Sequence, residues 1–480
     1  MARSGDVGGR PRLPADSVTG VDGYVFHSWS AQGALDPLPV AGGEGAWFWD
    51  TDDNRYLDFS SQLVNLNLGH QHPRLVAAIQ AQAGRLATIG PTFANDVRGE
   101  LARLIVERAP GTAGGPAEDG VDRRWRVFFT NGGADAVENA VRLARLHTGR
   151  TTVLAAYRSY HGNTTTAISL TGDPRRWPNE VAPDPHVRHF LGPYAYRSAF
   201  GAQDDAEEGV RALAHLREVV QLEGPGNIAA MLLETIVGTN GVLIPPDGYL
   251  AGVRELCDEH GILLVADEVM VGFGRVGEWF AVDRWGVVPD LVTFAKGVNS
   301  GYVPLGGVVI GEHVARTFDD RPFPGGLTYS GHPLACAAAV ESIRVFEDEG
   351  ILERVRTLGA DLIGPRLREI AARHRSVGEV RGLGFFWAIE LVRDRATREP
   401  LVPFNASGPA AAPMGAVVAA IRARGVWPFV HFNRLHVAPP LVTSAEDLEH
   451  GLAVIDAALD VADSYARDDA RESTAGEGNR

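Results

Sequence analysis

Cysteine is nearly missing from this chain. Cys257 and Cys336 are the two in 480 residues, each inside a helix-like stretch, which excludes a disulfide scaffold and a cysteine-rich metal site and suits a reducing, cytoplasmic compartment. Positive charge is also in deficit: 45 Lys and Arg against 60 Asp and Glu leave a formal charge of −15. That balance argues against nucleic acid or an anionic membrane as the main partner, and for small-molecule substrates. No apolar run approaches the ~18 residues of a membrane span, and "MARSGDVGGRPRLPADSVTG" lacks the apolar centre of a signal peptide. Internal repeats and extended low-complexity tracts are absent. What is present is length: 480 residues can build more than one core.

Short apolar runs alternate with helical patterns through the middle of the chain: "WRVFFT" then "ADAVENAVRLARLHTG", "TTVLAAY", "AAMLLE" then "GYLAGVRELCDEHG", "ILLVAD", and "DLVTFA". The alternation predicts an α/β fold, a mostly parallel sheet flanked by helices, over residues 71–334. After Thr328 come two long helices, then strand-like pieces "GEVRGLGFFWAIELV" and "LHVAPPLV". These predict a smaller α+β domain over 335–464, which the N-terminal strands of 21–70, around "GAWFWDTDDNRYLDFS", are expected to join. Residues 1–20 and 465–480 read as poorly ordered tails, and "APGTAGGPAEDGVDRR" from Ala109 reads as a surface loop.

Ligands of open parallel sheets sit outside the carboxyl ends of the strands, so the residues that end each run matter most. Here they are the turn "NGGADA", the segment "RSYHG", Glu234, Asp267 with Glu268, and Lys296. Gly132 and Gly133 lie between strand and helix, where free N–H groups and the helix dipole can hold a phosphate; a plain chain turn is the other reading. No G-x-G-x-x-G follows that strand and no G-x-x-x-x-G-K-[ST] occurs, which disfavours a nicotinamide oxidoreductase and a P-loop enzyme. Lys296 closes an apolar strand. It is either a solvated strand-end lysine or an amine whose pKa desolvation lowers enough to form a Schiff base. Asp267 is then either its structural ion partner or the anchor of a protonated pyridine nitrogen.

With the glycine turn, "SYHG", "DEVMVGFGRVG", "AKGVNSGYVPLGG" and "TYSGHPLACAAA" in this order, the chain resembles the class III (ω-amino acid) aminotransferases, pyridoxal-phosphate enzymes of fold type I. The resemblance runs from "GAWFWDTDDNRYLDF" to "PPLVTS". It implies pyridoxal 5'-phosphate as cofactor, Lys296 as the Schiff-base lysine and Asp267 at the pyridine nitrogen. It further implies Val269 and Tyr160 on the two ring faces, backbone N–H groups of Gly133 and Ala134 at the phosphate, and Glu234 near the ring oxygen, in a network with Asp267. Thr328 would reach the phosphate of a neighbouring subunit, in a homodimer or a dimer of dimers. Ala134 and Asp135 depart from the Ser or Thr and the Glu that relatives often carry, so one side-chain bond to the phosphate is expected to be missing. His436 stands where relatives that use α-amino acids often have arginine, and Arg434 nearby is a candidate for an acidic substrate group. The implied reaction moves an amino group from an ω-amino acid or primary amine, taurine- or β-alanine-like, to a keto acid, pyruvate, by a ping-pong mechanism. A phospholyase or decarboxylase on the same scaffold is the alternative. A catalytically silent binding protein would need neither Lys296 nor Asp267.

Overall fold

Runs such as "IAAMLLE" have no polar face, which suits a strand covered on both sides. In the computed structural model, which describes residues 23–112, 124–179 and 182–467, these runs form one seven-stranded sheet. Its strands are β1 (Trp125–Thr130), β2 (Thr152–Ala156), β3 (Val187–Phe190), β4 (Ile228–Glu234), β5 (Leu263–Asp267), β6 (Leu291–Phe294) and β7 (Gly306–Gly311). They lie in the order β1-β7-β6-β5-β4-β2-β3. Neighbours are parallel except at β7, which is antiparallel to both β1 and β6. The expected α/β architecture is therefore present.

Both faces are covered. Val153 and Ala155 of β2 pack with Ala136, Val137 and Ala140 of helix α1 (Gly133–Thr148). Leu154, one residue out of phase, packs on the other face with Met231 and Leu264. The α1 core positions recur at helical spacing, and the helix stops at Gly149, whose φ of 69° is left-handed.

Two strands escape the sequence pattern. β3 is a four-residue edge strand, and β7 begins inside what reads as a glycine-rich loop. A Cβ on Gly306 would lie 2.6 Å from the Gly132 carbonyl oxygen, and one on Gly307 2.4 Å from the Phe294 ring. Those glycines admit close backbone approach rather than a loop.

After the helix Pro333–Asp348 and the helices Ile351–Leu358 and Gly364–Arg373, strands Val377–Leu383, Phe386–Asp394, Arg434–Val437 and Phe429–His431 form an antiparallel sheet. Val426–Trp427 pairs in parallel with Arg55–Asp58, so the N-terminal strands are sewn to this C-terminal segment. The tail expected over 1–20, most of the tail expected over 465–480 and most of the loop from Ala109 lie outside the described residues. No helix among the described residues is long and apolar enough to cross a membrane.

Candidate active site

The carboxyl ends of β1, β2, β4, β5 and β6 share one rim, where Gly133, Ala134, Tyr160, Glu234, Asp267, Val269 and Lys296 line a cavity of about 380 Å³. Asp267 ends β5 and is buried. Its Oδ2 accepts from His161 Nδ1 at 2.7 Å, and its Oδ1 from Thr293 Oγ1 at 3.0 Å and the Val269 N–H at 3.1 Å. Three donors let a carboxylate stay charged away from water. His161 Nε2 is buried and makes no hydrogen bond among the described residues.

Neither helper was assigned from the sequence. Thr293 is the one polar residue of "LVTF" and sits across from Asp267 in the β5–β6 register; a hydroxyl inside an apolar strand was the available signal. His161 lies in the quoted "SYHG" but its direction depends on a loop. Glu234 stands opposite Asp267 in the β4–β5 register. Its oxygens accept from the Tyr160 N–H and the Gly238 N–H, both at 2.8 Å, so the two carboxylates are linked through neighbouring Tyr160 and His161 rather than directly. Burial pushes the Glu234 pKa up.

Lys296 follows β6 with φ of 45°, left-handed backbone that costs a non-glycine residue roughly 1–3 kcal/mol. Burial pulls its ammonium down to about 8, against the opposite pull of Glu234 and Asp267.

Opposite these groups, α1 starts at Gly133 after the extended Gly132. The first N–H groups of a helix have no carbonyl four residues back and point outward with the positive dipole end. A Cβ on Gly133 would lie 2.8 Å from Val269 Cγ1, so glycine lets the helix start close against Val269. Tyr160 presents its ring to the cavity, Trp29 meets that ring edge-on at 6.1 Å, and the Arg175 guanidinium lies 3.9 Å from its centroid. Asp173 grips Arg175, with Nε–Oδ2 of 2.8 Å and NH2–Oδ2 of 2.5 Å, and is itself held by Asn240 Nδ2 at 3.1 Å. Sequence reasoning missed Trp29, Asp173 and Arg175, whose meeting depends on loops.

Three expected site residues lie elsewhere. Thr328 is exposed in a turn and does not line the cavity. Arg434 and His436, two apart on one strand, share a face as strand periodicity requires, but that face meets the outside of the loop Gly238–Gly241. His436 is fully buried, its Nε2 3.3 Å from the Gly238 carbonyl, and burial drives its pKa to about 3. Arg434 packs against Gly241 with Nε 3.6 Å from Glu390. Neither is among the residues that line the cavity.

The Aminotransferase class-III family profile matches residues 30–459. A 5-aminovalerate aminotransferase of Pseudomonas aeruginosa is 34% identical over 430 residues, 88% of this chain and 93% of that one. A taurine–pyruvate aminotransferase of Bilophila wadsworthia is 32% identical over 456 residues, 91% of this chain and 95% of that one. Among solved structures, a taurine:2-oxoglutarate aminotransferase from Bifidobacterium kashiwanohense, in complex with PLP and glutamate, superposes with a TM-score of 0.89 at 40% identity, covering 95% of this chain and 99% of that one.

Proposed function

This chain belongs to the class III aminotransferases, which are pyridoxal-phosphate enzymes, and we propose that it takes the amino group of a short ω-amino acid, taurine- or β-alanine-like, and delivers it to pyruvate. The observation that carries the donor reading is Arg175. Among the described residues the cavity lining contains no arginine, and Arg175, fixed by Asp173 on the face of Tyr160, is the cation at its edge that can meet an acidic group. One guanidinium suits substrates with one anionic group, a sulfonate or carboxylate on the donor and then pyruvate on the acceptor side. Two of the relatives above carry taurine in their names.

The residues present fit the cofactor. Free N–H groups of Gly133 and Ala134 suit its phosphate, and Asp267 suits its ring nitrogen. Tyr160 and Val269 suit the two ring faces, Glu234 the side of the ring oxygen, and the neutral form of Lys296 its aldehyde. When bound, the cofactor supplies the sink for the electron pair left behind by a departing carbon-bound proton. Lys296 Nζ takes that proton from the substrate carbon and returns it on the other side of the exchange, a task matched to a pKa of about 8. The Asp267 carboxylate, held by His161, Thr293 and Val269, would balance a positive charge opposite it. Arg175 orients the acidic end of the substrate, and donor and acceptor use the cavity in turn, which gives ping-pong kinetics.

Removing the guanidinium in Arg175→Gln is expected to raise KM for taurine or β-alanine roughly 10- to 100-fold, the worth of a charge-assisted contact. A neutral primary amine should be spared. Single-turnover reaction of the donor alone with the holoenzyme, read by bleaching of the bound cofactor, separates the two. Equal losses for acidic and neutral donors, or no loss, would remove Arg175 from substrate recognition.

The working unit in this reading is at least a symmetric dimer, with Thr328 serving the phosphate in its partner's site; its exposure and its distance from its own cavity lining support this. Mixing inactive Lys296→Ala chains with inactive Thr328→Arg chains is expected to restore roughly a quarter of native activity, because both lesions then fall in one site of each heterodimer and leave the other intact. No recovery, given proven subunit exchange, would place Thr328 in its own chain's service.

A further inference from the structure

Glu234 also belongs to the wall of a second, smaller cavity of about 40 Å³. By the same measure one water needs roughly 10–15 Å³, so there is room for a few waters or one small ion and not for an amino acid or a phosphate. Two polar side chains of its lining make no hydrogen bond among the described residues. Tyr249 is 4% exposed, and its hydroxyl is buried without a hydrogen bond among the described residues. Burial alone pushes this phenol far above its ordinary range, so it remains a proton donor.

The second is Arg158. It enters from the loop after β2 in left-handed backbone, φ 69°. Among the described residues its guanidinium has one partner, the face of the Tyr194 ring 5.0 Å from Cζ, and no carboxylate. The acids nearby are already engaged. Glu390 accepts from Arg197 Nε at 2.5 Å, Arg381 NH2 at 2.7 Å and the Tyr194 hydroxyl, with Arg434 Nε at 3.6 Å. Glu379 is paired with Arg381, and both oxygens of Glu234 face N–H groups. Arg158, Arg197, Arg381 and Arg434 thus share two carboxylates whose hydrogen-bonding positions are taken by groups other than Arg158. Burial pulls its guanidinium below the ordinary range, with Tyr194 and Glu390 opposing and Arg434 and Arg197 adding to the pull. Guanidinium N–H groups left without an acceptor suit an anion of matching size.

We propose that this cavity binds one small monovalent anion of halide size, held by the Arg158 guanidinium and the Tyr249 hydroxyl. Such an anion fixes the loop that carries Tyr160, two residues beyond Arg158, and so stabilises the holoenzyme by mass action.

The test uses holoenzyme titrated with sodium bromide, with ionic strength held constant by sodium gluconate, whose anion is too large for the cavity. Native enzyme is expected to show a saturable rise in Tm of roughly 1–3 °C, and bromide-grown crystals an anomalous peak beside Arg158. Because Arg158 makes no side-chain hydrogen bond among the described residues, Arg158→Gln should fold normally and move the midpoint of the bromide response at least tenfold. Tyr249→Phe should move it several-fold. No saturable rise, a rise unchanged in Arg158→Gln, or water alone in the cavity of bromide-grown crystals would overturn the proposal. A gain in stability for Tyr249→Phe without any bromide response would show a cavity that holds no ion and overturn it as well.

Discussion

A Lys296→Ala chain is expected to purify without the visible absorption of the bound cofactor and to lose amine transfer by a factor of about 10⁴ or more, since both the covalent anchor and the base disappear. The expectation rests on a lysine in strained backbone at the end of a buried strand, held near pKa 8 by burial. Its pH dependence can be read in the native chain. At pH 8 an ordinary lysine of pKa 10.5 is neutral in about one molecule in three hundred, whereas one near 8 is neutral in about half. Only the neutral amine attacks an aldehyde. Cofactor uptake by apoenzyme should therefore accelerate as pH rises through about 8 and level off above it, which stopped-flow absorbance would show. A midpoint close to 10, or a Lys296→Ala chain that turns over at the native rate, contradicts the assignment.

Asp267→Asn is expected to keep part of its cofactor and lose a factor of about 10² or more in kcat, roughly 3 kcal/mol of transition-state stabilisation. An amide is close in size to the carboxylate but cannot balance a positive charge on a ring nitrogen as an anion does. It would also face the donors from His161, Thr293 and the Val269 N–H with one accepting oxygen instead of two. Titrating bound cofactor while measuring kcat separates weak binding from slow chemistry. Normal kcat at full occupancy would reduce Asp267 to an ion partner of Lys296.

Lys296, Asp267 and Glu234 were legible in the sequence because each closes an apolar run, and in a parallel sheet the closing residues reach one rim. The glycine turn was legible for the same reason. Arg175 was not: its guanidinium reaches Tyr160 through the turn after residue 170, held by Asp173, to which Asn240 donates in turn, and no periodicity encodes a meeting of three loops. Arg434 and His436 show the converse limit. Strand alternation correctly puts them on one face but does not say that the loop Gly238–Gly241 lies between that face and the cavity. β7 was hidden because its glycines, usually a mark of loops, are required by neighbouring backbone and the Phe294 ring.

The placement of β7 also sets when the site can exist during synthesis. β1 is at the edge of the sheet and bonds to β7 alone, so the strand that delivers Gly132 and Gly133 has no sheet to join until residues 306–311 have left the ribosome. At a translation rate of about 5–20 residues per second, β1 waits roughly 10 to 35 seconds after its own emergence for the strand that pairs with it. A nascent chain arrested before Gly306 can stack β6, β5, β4 and β2 through parallel pairing and dock α1 on them, but lacks the strand that holds β1, which leads into Gly132 and Gly133. In the proposed reading of Gly133 as part of the phosphate seat, loading of the cofactor would follow near-completion of the chain.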